Sequence, residues 1–142
     1  LSEFKPPSAD AYGKSLKGLG FSLIVADLGA SVQLARLILG ATTYFQTDKF
    51  AAMKLLGSDF MIHHDDTYRH NPLHGFLGEN IGRGVGIELR CFGVDPDDAE
   101  ASARLHGFTV LAGSLDKPHG LRECIILDPD GYAWVPSIHL KI

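Results

Sequence analysis

The spacing of apolar residues changes period repeatedly along this chain. Residues 21–26 form an apolar run of strand length. Asp27 follows and can accept the orphan amide hydrogens of a first helical turn. Leu28, Val32, Ala35 and Leu39 then recur at helical spacing, and Leu34, Leu37 and Ile38 widen the stripe. Gly40 ends that helix. Residues 41–47 return to alternation and are rich in Thr and aromatic side chains, and 50–56 and 60–64 read as further strands, with Gly57-Ser58-Asp59 as a turn. The order is β-α-β-β-β.

The pattern lapses over the polar, glycine-bearing residues 65–83 and then restarts. Residues 85–92 read as a strand. Asp95 opens a helix with Pro96 in its first position and acid in its first turn, and Gly107 closes it. A strand over 108–111 follows, then a hairpin whose arms are 121–127 and 132–135. Its turn is Asp128-Pro129-Asp130-Gly131, where Pro presets φ and Gly supplies a positive φ. The order is again β-α-β-β-β. A divergent internal repeat of this kind dictates architecture. The expected fold class is α+β, with two βαβββ modules over 19–66 and 84–142 in one compact domain, joined by a connecting loop over 67–83. Residues 1–18 hold Pro6-Pro7 and no period, so they read as an extended N-terminal arm, which Phe4 and Tyr12 can pin to the body or to a partner subunit.

Composition narrows the function classes. The chain has 142 residues, 45% hydrophobic and 21% charged, which suits a folded domain with its own core. A net charge of −4 without a basic block argues against nucleic acid as a partner. No apolar run approaches the ~20 residues that span a membrane, so no membrane partner is expected. Cys91 and Cys124 fall in different predicted strands and outside any zinc-finger spacing. They read as free buried thiols in a reducing compartment, and the expected location is cytoplasmic. No signal peptide is visible, and the chain opens at Leu1 without a methionine, which leaves room for a trimmed upstream piece.

Paired β-α-β-β-β units ending in Asp128-Pro129-Asp130-Gly131-Tyr132-x-Trp134 resemble the glyoxalase/bleomycin resistance/extradiol dioxygenase superfamily, the vicinal oxygen chelate proteins. The resemblance covers the chain from about Gly20 onward. It also rests on Val25-Ala26-Asp27-Leu28 at the first helix and on Pro118-His119-Gly120-Leu121-Arg122-Glu123 before the last hairpin. It implies curved mixed sheets forming a cup, and a homodimer with cups built within one chain or across two. In metal-dependent members it implies a divalent ion held by His and Glu from the first, fourth, fifth and eighth strands. Those positions correspond here to Gly20, His64, Glu88 and Val135. Gly20 and Val135 carry no ligating group. A divalent metal would therefore have only His64 and Glu88, whereas catalytic zinc takes three protein ligands. The expectation is a site without the usual metal.

The remaining candidates each have a structural alternative. His64 shares a strand face with Phe60 and Ile62 and serves either a ligand or a plain hydrogen bond; His63 should face the other way, to the surface or a subunit boundary. His70 and His74 are four apart, but Pro72 between them opposes a chelating helix. Gly82-Arg83-Gly84-Val85-Gly86 looks like a nucleotide loop, yet a strand follows where a helix is needed. The Asp128–Asp130 turn has Pro at its second place and His139 at its twelfth, unlike a calcium loop. Arg122 can clamp a carboxylate or phosphate, or pair with Glu88 or Glu123. His119, before a glycine, suits ligand contact or proton transfer. Tyr68 and Trp134 can wall a planar ligand or belong to the core. Glu88 faces either the cup, where burial would raise its pKa, or solvent. The leading function is binding of a small organic molecule by His64, Tyr68, Glu88, His119, Arg122 and Trp134. The alternative is a metal-dependent lyase or dioxygenase with a non-standard ligand set. A third reading is a cup filled by its own side chains that serves assembly.

Overall fold

A computed structural model describes residues 8–78 and 82–141, and two four-stranded mixed sheets dominate it. The first contains β1 (Ser22–Val25), β2 (Thr42–Gln46), β3 (Phe50–Leu55) and β4 (Ser58–His64), in the order β1-β4-β3-β2. The second contains β5 (Glu88–Phe92), β6 (Thr109–Asp116), β7 (Leu121–Leu127) and β8 (Ala133–His139), in the order β5-β8-β7-β6. In each sheet the first strand pairs in parallel with the last, and the other pairs are antiparallel. The expected α+β fold of two βαβββ units is present.

Each parallel pair needs a crossover, and a helix supplies it. Helix α2 (Leu28–Gln33) starts where Asp27 accepts the Ala30 amide, and it runs on through a π-turn over Leu34–Ile38. Helix α3 (Pro96–Leu105) starts where Asp95 accepts the Asp97 and Asp98 amides. The helices cover one face of each sheet. Leu23, Val25, Phe60 and Ile62 of the first sheet and Leu89, Cys91, Ile126 and Trp134 of the second belong to one buried core with the helix residues. The other face of each sheet is turned away from that core. It carries Ile24, Met61 and His63 in the first sheet and Arg90, Glu123 and Ser137 in the second, as the strand registers require.

The modules are fastened where β1 meets the last hairpin. Tyr132 donates through its hydroxyl to the Ile24 carbonyl at 2.9 Å, and Asp130 accepts the Ala26 amide at 3.2 Å. Arg83 crosses this seam with its side chain 5% exposed. It donates to both oxygens of Asp65, at 2.6 and 3.0 Å, and to the Ile24 carbonyl at 3.0 Å. Gly84 lies so close to the hairpin that a Cβ there would stand 2.6 Å from Tyr132 Cα. The glycine run that looks like a nucleotide loop is therefore a packing device.

Some element bounds differ from the pattern reading. The arm is not extended throughout, because α1 (Ala9–Ser15) forms there, capped by Ser8 and braced by Lys14 on Asp10. Residues 1–7 lie outside the described residues. The segment after β4 contains two 3-10 turns, Asp65–Tyr68 and Pro72–Phe76. Strand β8 continues past Pro136, where a proline in mid-run reads as a stop.

Candidate functional site

Among the described residues, strand β5 pairs with β8 on one side only. Its other edge borders a cleft of about 490 Å³. Phe21, Phe60 and Trp134 form a three-ring cluster along the cleft, with Trp134 edge-on to both phenyl rings at 6.0 and 5.6 Å. Leu19, Leu56, Ile87 and Phe92 stand at the opening and are each more than half exposed.

Polar chemistry reaches the same opening along β5. Period-two alternation puts Glu88, Arg90 and Phe92 on the face away from the helices. Arg90 donates to Glu88 at 3.1 Å and, by a short contact, to Glu123 on β7. Its guanidinium carbon lies 5.6 Å from the Phe92 ring centroid, a cation–π distance. His119 Nε2 stands 3.5 Å from the same Glu123 oxygen. Burial pushes the Glu123 carboxyl up, but the hydrogen bond and charge of Arg90, helped by His119, outweigh it and hold the group below its ordinary value. Glu123 is therefore ionised at neutral pH. Ser137 is its cross-strand neighbour, and the Ser137 hydroxyl is buried with no partner among the described residues.

The predicted residues divide between this site and other tasks. Glu88 and Trp134 line the cleft, and His119 joins it through Glu123. Arg122 projects to the opposite face. It makes a bidentate pair with Asp97 at 3.0 and 2.9 Å and a further bond to Asp116 at 2.9 Å, so its partners are neither Glu88 nor Glu123. Hydrogen bonds to those two aspartates raise its pKa further, and its clamp is occupied by the protein itself. His64 uses Nδ1 to accept the Asp66 amide at 3.1 Å, which caps a 3-10 turn. Tyr68 sits against His63 on the first sheet, with ring centroids 5.2 Å apart, and His63 in turn meets Phe50 at 4.9 Å. His63 is thus part of an aromatic surface, half-buried, and burial lowers its pKa so that it is neutral at pH 7. Arg90 was missing from the sequence reading, although its place two residues beyond Glu88 fixes it on the same face.

The residues do not fit the metal ion that the family resemblance implies. His64 Nδ1 is already engaged, and the position on β8 is Val135, a fully buried hydrocarbon. Among the described residues, no three His, Cys, Asp or Glu side chains converge.

This architecture defines a class. The chain has the fold of glyoxalase/bleomycin resistance/dioxygenase proteins. One similar solved structure is a protein of that description from Nocardioides, with a TM-score of 0.64, 21% identity and 95% of each chain covered. Another, from Burkholderia phytofirmans, has a TM-score of 0.70 and 16% identity over 85% of this chain and 97% of that one. The fosfomycin resistance protein FosX from Listeria monocytogenes has a TM-score of 0.64 and 15% identity over 87% and 93%. No protein-family model matches the chain, and no curated protein matches it in sequence. Among the described residues, no helix is long and apolar enough to cross a membrane.

Proposed function

We propose that this protein binds a small organic molecule in the cleft beside β5, without the metal ion that the family resemblance implies. One observation carries the reading: aromatic walls and an arginine held between two carboxylates meet at the mouth of a cleft of about 490 Å³. That volume lies within the range of small-molecule sites, which are mostly apolar with a few placed polar groups. The apolar body of the ligand packs against Phe21, Phe60 and Trp134. Its polar group exchanges hydrogen bonds with Glu88 and Arg90, and Glu123, itself met by His119, holds Arg90 in place. The fold shared with a fosfomycin resistance protein is consistent with a small-molecule role. A lyase or dioxygenase reading would need three ligands converging on a metal ion, and among the described residues no three His, Cys, Asp or Glu side chains do so.

A homodimer belongs to the same proposal. Leu19, Leu56, Ile87 and Phe92 expose apolar surface around the cleft, and a second copy would shield it. Two free cysteines, both buried, fit the reducing cytoplasm.

The test is a ligand screen on chelator-treated protein, read by Trp134 fluorescence and confirmed by calorimetry. Binding at one ligand per chain, weakened by Arg90→Ala and Phe92→Ala but not by Arg122→Ala, is the expected result. A ligand that binds only after metal is restored, or that binds the Arg90→Ala protein as well as wild type, overturns the proposal.

A further inference from the structure

The hairpin between β3 and β4 turns through two residues, Leu56 and Gly57, with φ of 51° and 80°. Positive φ at both central positions is the type I′ arrangement, whose usual first residue is Asn, Asp or Gly. Leu56 is the one residue other than glycine with a positive φ among the described residues. In that conformation its Cβ crowds its own carbonyl oxygen, so leucine is a costly choice. Burial does little to offset the cost, because Leu56 is 55% exposed. A strained apolar residue thus stands at a turn where a small or polar one fits the backbone better.

Its position supplies a reason. Leu56 reaches from the first module toward the second: a Cβ built on Gly93, just past the end of β5, would stand 3.4 Å from Leu56 Cδ2. The bare glycine leaves room for the leucine tip. The β5 cleft of about 490 Å³ lies to one side of Leu56. To the other lies a more open hollow of about 450 Å³, lined by Ile38, Val94, Ala99 and Ser102 among others. Leu55 and Leu56 line both. Leu55 is 8% exposed and belongs to the shared core, so Leu56 is the part of the partition that a substitution can remove.

We infer that Leu56 is the specificity-determining residue of the β5 cleft, a stop that limits the length of the ligand's apolar tail. The inference rests on the function proposed for that cleft. The ligand's polar group sits at Glu88 and Arg90, and its tail runs along β5 toward Gly93. Three strand residues separate Arg90 from Gly93, about 10 Å at the rise of a β-strand. A tail of that length ends against Leu56, and a longer one needs the hollow beyond it.

The n-alkan-1-ols from butanol to decanol test this, because their hydroxyl both donates and accepts and their tail is graded. Binding to the full chain is followed by amide NMR. In the wild-type protein each added methylene should tighten binding about fourfold up to a limiting length, with shifts at residues 87–92. Leu56→Gly suits the turn. It should bind the short alcohols as the wild type does and extend the limit by about two methylenes or more, with new shifts at Val94, Ala99 and Ser102 for the long alcohols only. Leu56→Met keeps the bulk and should keep the limit. An unmoved limit in Leu56→Gly, whatever happens to Tm or to the oligomeric state, overturns this inference alone and makes Leu56 a packing or subunit contact. So does a limit that moves equally in Leu56→Met. A wild-type protein in which no alcohol shifts residues 87–92 removes the cleft as a ligand site, and the inference with it.

Discussion

Arg83→Met isolates the seam between the modules. Methionine keeps much of the stem's packing but removes a guanidinium that is nearly inaccessible, with its side chain 5% exposed. The loss comprises two bonds to Asp65, one to the Ile24 carbonyl, and a cation 3.6 Å from Asp130. Asp130 is left 7% exposed with no cation beside it among the described residues, while Asp65, at 26%, can partly rehydrate. Breaking a buried ion pair from one side costs about 3–5 kcal/mol, and the rehydration of Asp65 places this case near the lower end, at about 3 kcal/mol. Urea unfolding followed by fluorescence reads it directly, because the protein's single tryptophan, Trp134, is 3% exposed in the shared core. The pH dependence is a second check. Burial already raises the Asp130 pKa, and Arg83 partly offsets that rise. Without Arg83 the folded-state pKa climbs further above the unfolded value, so the variant gains stability relative to wild type as the pH falls through it. A deficit below about 1 kcal/mol at pH 7, the size of a surface pair, would refute the reasoning. So would a deficit that grows on acidification.

Asp128→Asn probes the turn of the last hairpin. Burial pushes the Asp128 carboxyl up to about 6, while Oδ1 accepts the Asp130 and Tyr132 amides and Oδ2 has no partner among the described residues. A raised acid favours the folded state at low pH, and that contribution, about 3 kcal/mol, is lost as the pH rises from the unfolded value through 6. Asparagine keeps the acceptor and removes the charge, so the difference in Tm between variant and wild type should grow in the variant's favour from pH 4 to 7; a constant difference would contradict it. Gly84→Ala should cost about 1–3 kcal/mol in urea unfolding, since the new methyl meets Tyr132 backbone that cannot swing aside. An unchanged midpoint would show that the seam is looser than described.

The repeat was legible because its signals are local. Asp27 and Asp95 cap helices where their spacing places them, and strand alternation separates the two faces of β4 and β5. Proline misled at β8, since Pro136 sits in a strand whose neighbours still pair on both sides. The site was less legible because its partners are distant in sequence. Glu88 and His119 are joined through Arg90 and Glu123, a link made by the β5-β8-β7 order. Arg122 has the chemistry of a ligand clamp, and only the register shows it turned toward Asp97 on α3. Arg83 lay inside a glycine run that drew attention to phosphate, while its partner Asp65 ends the other module.

Closing each module by pairing its first strand with its last also governs where the chain can vary in length. Trimming the first strand of a module strips a neighbour from β4 or β8, trimming the last removes the strand that joins the first to the rest, and either opens a raw sheet edge to the solvent or to other chains. Lengthening the stretch between β4 and β5 disturbs no ladder. Its 3-10 turns are largely exposed, with Phe76 and Leu73 on the surface, and Arg83 and Asp65 pin it at both ends. A descendant of this chain could acquire a new loop there, beside both sheets, while its core stayed as it is.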